Sequence, residues 1–195
     1  MEVFEYLVGE SELATWLQDC AVPEFVRRCL MYFNVPEGLP VIEAGVQKQT
    51  VLPVLKTREC WILDKDPEAL LRVTTQSPHV KPYCKDMMAL PDDTPPFGAG
   101  QAGLVLWHER LWYYLEAYQR IENRPAAEGP AHMLACLLRL PAKGGVFLEI
   151  HPALNFELIQ LPVLQATLKA IGREQANIHL IGALPQPQAY AVEFI

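Results

Sequence analysis

The apolar residues of this chain come in short runs, and proline, glycine or charge cuts off each one. No run approaches the roughly 18 apolar residues that a helix needs to span a bilayer. A membrane is therefore a poor partner. The chain has to build its core from several short helices and strands. At 195 residues and 51% apolar content it has enough material to do so without disulfides or metals.

Periodicity assigns the pieces. Val3–Val8 reads as a first strand. Ser11 caps a helix over Glu12–Cys20, where Leu13, Trp16, Leu17 and Cys20 share a face. Pro23 opens a second helix, Glu24–Phe33, with Phe25, Val26, Cys29, Leu30 and Phe33 on one side. Leu39–Val46, Thr50–Lys56 and Glu59–Leu63 read as strands of a meander, and Pro53 demotes the middle one to an edge or a bulge. Asp66-Pro67-Glu68 starts a third helix, with a cap, a proline and an acid in its first turn.

A stripe of Leu104, Trp107, Leu111, Tyr114, Leu115, Tyr118 and Ile121 predicts an aromatic helix over 104–121. His132–Leu140 is a compact apolar run, Gly145–Ile150 alternates as a strand, and Gly172 closes a helix over Leu161–Ile171. Ile178–Leu184 and Ala189–Phe194 form a terminal antiparallel pair. Helices and strands mix without regular alternation. The expected class is α+β, a mostly antiparallel sheet packed with four to six helices. Ser77–Gly103, with five prolines, is the least regular region, a linker or a long ordered loop; a boundary near 92–100 separates an acidic N-terminal half (1–95) from a C-terminal half (96–195) that carries the aromatic helix, and a single domain is the alternative.

Charge narrows the partners. Sixteen bases face twenty-three acids, a net charge of −7, and the longest basic run is Arg27-Arg28. Phosphate backbones need a basic stripe, so nucleic acid is excluded as the expected partner. The first 26 residues contain Glu2, Glu5, Glu10, Glu12, Asp19 and Glu24 and no base. Such a surface steers a basic protein toward it, although a plain solvated face has the same composition. The five cysteines are odd in number and widely spaced, without a CxxC. That pattern suits free thiols in a reducing compartment. The N-terminus lacks the basic and apolar regions of a signal peptide, so the expected location is cytoplasmic.

Local motifs fail on spacing. Gly98-Ala99-Gly100-Gln101-Ala102-Gly103 has the letters of a dinucleotide-binding turn. That turn needs a buried strand before it and an acid about twenty residues later, at the end of a second strand. Asp92-Asp93-Thr94-Pro95-Pro96 precedes it instead, and Glu122 ends the expected helix. A hinge or a helix entry is the better reading. His108-Glu109 begins like a zinc-binding helix, but Trp112 stands where the second histidine is required, so no metal is assigned. The two serines, Ser11 and Ser77, lie in no nucleophile turn. No cofactor is assigned.

Two functional readings remain. The first is a non-enzymatic protein that binds a basic protein partner: an inhibitor or immunity-type protein, an antitoxin, a chaperone or an adaptor. Trp112 beside Glu109 and Glu116, together with Glu10 and Glu12, is its candidate surface. The second is an enzyme, a hydrolase or a transferase, whose dispersed site uses His79, Cys84, His151 and Glu149 or Glu157. Cys84 lies between Lys81 and Lys85, which favour a thiolate. The first reading is preferred. Self-association is a third role, because it would hide apolar surface.

Overall fold

A computed structural model describes residues 6–8, 11–46, 50–87, 90, 96–108, 128–150, 161–182 and 188–195. The strands are β1 (Tyr6–Val8), β2 (Val41–Ala44), β3 (Cys60–Asp64), β4 (Val80–Cys84), β5 (Ala102–His108), β6 (Pro141–Ile150), β7 (Ala176–Ile181) and β8 (Ala189–Phe194). The helices are α1 (Ser11–Asp19), α2 (Val22–Tyr32), α3 (Pro67–Gln76), α4 (Glu128–Leu138) and α5 (Leu161–Ala170). Among the described residues, the eight strands form one sheet in the order β1-β7-β8-β6-β5-β2-β3-β4.

The sheet is parallel at every pairing except the two made by β8. The expectation of a mostly antiparallel sheet is therefore wrong. Burial gives the physical reason. Each residue of β2, and Val146 to Ile150 of β6, is buried on whichever face it points to. Parallel strands covered on both faces read as near-continuous apolar runs, whereas one-sided antiparallel strands alternate. The terminal pair β7–β8 is antiparallel, as its sequence suggested.

Helices cover both faces. Phe25, Val26, Cys29 and Leu30 of α2 and Ala69, Leu70 and Val73 of α3 pack with Val41, Ile62, Leu104, Leu106 and Leu148 on one side. Met133, Leu134 and Leu137 of α4 and Leu164 and Leu168 of α5 pack with Ile42, Trp107, Phe147 and Tyr190 on the other. Each fully buried side chain of this size contributes about 1.5–3 kcal/mol. Segments 1–95 and 96–195 both supply strands to the sheet, and β2 pairs with β5 across them.

Several local expectations hold. Asp66 caps α3 by accepting a hydrogen bond from the Glu68 backbone N–H at 2.9 Å. Gly172, at φ +70°, closes α5; its N–H donates to Lys169 O, and that of Arg173 donates to Leu168 O. Two others fail. Residues 50–56 form no strand; they contain a three-residue 3-10 turn, Leu52–Val54. The expected helix 104–121 is a strand up to His108, and its remainder lies outside the described residues. Leu104, Val105, Leu106 and Trp107 are all buried, and a short continuous apolar run fits a buried strand as well as the start of a helical stripe. No helix among the described residues is long and apolar enough to cross a membrane.

Candidate functional site

Chain direction turns at β2. The chain leaves it for β3 and β4 on one side, then returns to β5 on the other. In an open parallel sheet this reversal leaves a crevice at the carboxyl ends of the two central strands, and ligands bind there. The two strands are β2 and β5, with the ends of β3 and β6 beside them.

Glu43 lies one residue before the end of β2 and is fully buried. Its Oε2 accepts from Thr50 Oγ1 at 2.5 Å and from the Val51 N–H at 3.1 Å. Its Oε1 is buried and has no partner among the described residues. Burial pushes the carboxyl up to about 7, against the hydrogen bonds from Thr50, Val51 and Leu52, which favour the charged form. Gly45 follows the strand at φ +84°, a conformation that strains any residue with a Cβ. A Cβ there would meet nothing within 4 Å, so the space beside the turn is open.

Asp64 ends β3. Its Oδ2 accepts from the Val46 N–H at 2.7 Å, and its Oδ1 accepts from the Asp66 N–H at 2.8 Å. Asp64 thus ties the turn after β2 to the entry of α3. Each oxygen still has a lone pair for a further donor. On the other side of the crevice, Trp107 of β5, Glu149 of β6 and Tyr190 of β8 stand opposite one another in register, all buried. The Trp107 indole N–H has no partner among the described residues.

Of the residues singled out from sequence, Glu149 stands at the crevice; the others are placed elsewhere or lie outside the described residues. His79 precedes β4, with Nε2 3.4 Å from Leu52 O. Cys84 is exposed at the far end of that strand, its thiol 3.7 Å from Lys65 O. Five residues of strand separate them by roughly 16 Å, so they form no dyad. Glu12 is exposed on α1. Glu10, Glu109, Trp112, Glu116, His151 and Glu157 lie outside the described residues.

Glu43, Gly45 and Asp64 went unnoticed in the sequence, yet a signal was present. Asp64 follows Gly45 by nineteen residues and ends the next strand. The acid at a comparable distance after the glycines at 98–103, Glu122, is read as ending a helix rather than a strand.

The sequence matches no family profile and no curated protein. Solved structures do match. A TehB-like S-adenosylmethionine-dependent methyltransferase of Corynebacterium glutamicum superposes with a TM-score of 0.58 at 12% identity, over 95% of this chain and 99% of that one. A sugar N-methyltransferase of a Streptoalloteichus species gives 0.64 at 9% identity, over 94% and 92%. The magnesium protoporphyrin IX methyltransferase of Synechocystis gives 0.57 at 14% identity, over 88% and 79%. This likeness overturns the preference for a non-enzymatic inhibitor, immunity-type protein, antitoxin, chaperone or adaptor. The alternative reading, an enzyme of the transferase kind, accords with it better. The chain has the fold of the S-adenosylmethionine-dependent methyltransferases.

Proposed function

We propose that the chain is a methyltransferase that takes its methyl group from S-adenosylmethionine. One observation carries the reading: Glu43 and Asp64 flank an open glycine turn at the strand-order reversal of a sheet with this fold. The residues fit the cofactor. Asp64 keeps acceptor capacity toward hydroxyl groups, and Glu43 Oε1 is a buried acceptor without a donor among the described residues. Gly45 leaves room for close approach to the backbone.

Bound there, S-adenosylmethionine supplies an electrophilic methyl group on a sulfonium. Asp64 would hold the hydroxyls of the nucleoside, and its bond to Val46 would keep the turn in register with them. Glu43 would hold the far end of the same loop through Thr50 and Val51. Methylation of a neutral nitrogen or oxygen releases a proton from the acceptor, and a side chain near the strand ends has to take it. Glu109 and Trp112 follow β5 in the chain, and His151 follows β6 directly. These three are the proposed acceptor-side residues, with Glu109 or His151 as the base. Free thiols at all five cysteines suit the reducing cytoplasm proposed as the location.

Titration calorimetry of the full chain with S-adenosylmethionine and S-adenosylhomocysteine tests the reading. Binding of both is expected, with affinity reduced at least about tenfold by Asp64→Asn. No binding at millimolar ligand would overturn it.

A further inference from the structure

We infer that the methyl acceptor is an amine, held with its nitrogen against Glu149 between the rings of Trp107 and Tyr190. The inference rests on the methyltransferase reading and names the substrate class of the same crevice.

Strand pairing puts these residues in one line. Ala44 of β2, Trp107 of β5, Glu149 of β6 and Tyr190 of β8 stand side by side in register. Neighbouring strands lie about 4.8 Å apart, so Glu149 is roughly 10 Å from the strand that ends at the Gly45 turn. Trp107, Phe147 and Tyr190 belong to one layer of the core, and Glu149, two residues after Phe147 on the same strand, faces that layer. The Phe147 ring centroid lies 6.4 Å from that of Trp107 and 6.0 Å from that of Tyr190. Three aromatic residues thus frame one acid. Glu149 and Trp107 each stand one residue before the last of their strand, so the frame lies at the crevice end of the sheet.

This frame suits a cation. Trp107 and Tyr190 have no exposed surface, and Glu149 is 1% exposed. A carboxylate so far from water gains most from a positive partner. Aromatic faces attract the same charge. Among the described residues, no lysine or arginine lies over the ring of Trp107 or Phe147. A carboxylate has acceptor sites for about four donors, so Glu149 can take an ammonium N–H beside its existing contact. Trp107 adds a second anchor. Its indole N–H is buried and without a partner among the described residues, and it can donate to an oxygen of the acceptor molecule.

An amine also keeps its charge through the reaction. The ammonium first gives one proton to the base, Glu109 or His151. The nitrogen lone pair then forms the N–C bond as the S–C bond breaks, and the pair of that bond stays on sulfur. The methylated nitrogen is again a cation. Glu149 therefore faces positive charge at the start, at the end and as it develops in between. An oxygen acceptor attacks with its proton withdrawn, as a partial anion, which an ionised Glu149 repels.

The test uses benzylamine, benzyl alcohol and benzoate, which share a ring and differ in the head group. Each is titrated calorimetrically at neutral pH into the full chain saturated with S-adenosylhomocysteine. Benzylamine is expected to bind at least about tenfold tighter than the other two. Glu149→Gln should bring the three within about threefold, and Glu149→Asp, which keeps the charge, should preserve the preference. The wild-type comparison decides even where a buried substitution unfolds the chain. Equal or tighter binding of benzyl alcohol or benzoate overturns the inference, as does no binding of benzylamine at about 50 mM. A folded Glu149→Gln variant that keeps the full preference overturns it too. In each of these cases, binding of S-adenosylhomocysteine leaves the methyltransferase reading standing. If S-adenosylhomocysteine itself does not bind, the reading and the inference fall together.

Discussion

Two glycine-containing segments of this chain, at 45 and at 98–103, look opposite in sequence and in structure. The second has three glycines in a dinucleotide-type pattern, yet it leads into β5 and serves packing. A Cβ on Gly103 would stand 2.9 Å from Leu39 Cβ and 3.0 Å from Val35 Cγ1. The first has one glycine, yet it sits between a buried strand and an open space, with an acid on either side. Glycine count is therefore a poor guide. What marks a ligand turn is the strand that ends at it and the acid that ends the next strand.

The largest expected effect belongs to the turn at 45. Glu43 is held near 7 when folded, well above its ordinary value of 4.5. The folded chain therefore holds a proton that the unfolded chain releases between these values. The contribution to stability is fully present below about pH 4.5 and is lost as pH rises through about 7. The loss is on the order of 3 kcal/mol. Chemical denaturation at pH 5 and pH 8 should reveal it, and Glu43→Gln should flatten the difference. An unchanged slope in the variant would assign the pH dependence to other groups.

Gly103→Val comes next. It should lower stability by about 2 kcal/mol through overpacking against Val35 and Leu39, without altering affinity for S-adenosylmethionine. A change in affinity would return the 98–103 segment to the ligand site. The smallest effect is the sharpest comparison. Gly45 and Gly100 have similar positive φ, +84° and +71°, and at both a Cβ would meet nothing within 4 Å. Alanine at either should cost about 1 kcal/mol of conformational energy. Only Gly45→Ala should also weaken the ligand, because only Gly45 directly follows a strand at the strand-order reversal. Equal affinities in the two variants would remove Gly45 from the site.

The helices were readable because their signals are local. Asp66, Pro67 and Glu68 begin α3 through hydrogen bonds within a few residues, and Gly172 ends α5 in the same way. The direction of β2 and β3 was not readable, because the element that normally reveals it is reduced between them. Parallel neighbours are joined by a crossover, usually a helix. Among the described residues between β2 and β3 the helical part is Leu52–Val54, so the two runs looked like successive strands of a meander. At 104–108 the apolar residues that face both layers of the core also satisfied a helical stripe. Glu43 and Asp64 were hidden for another reason. An acid inside an apolar run reads as an interruption until the sheet shows which ends gather together.

The position of β8 has a consequence for synthesis. Residues 189–194 lie between β6 and β7, antiparallel to both, well inside the finished sheet. A ribosome makes every other strand first. Until those six residues emerge, β6 has an open edge on one side of the gap, and the β1–β7 pair has another on the opposite side. Unpaired edges invite association with other chains. The growing polypeptide thus carries two incomplete half-sheets, and β8 closes them into one.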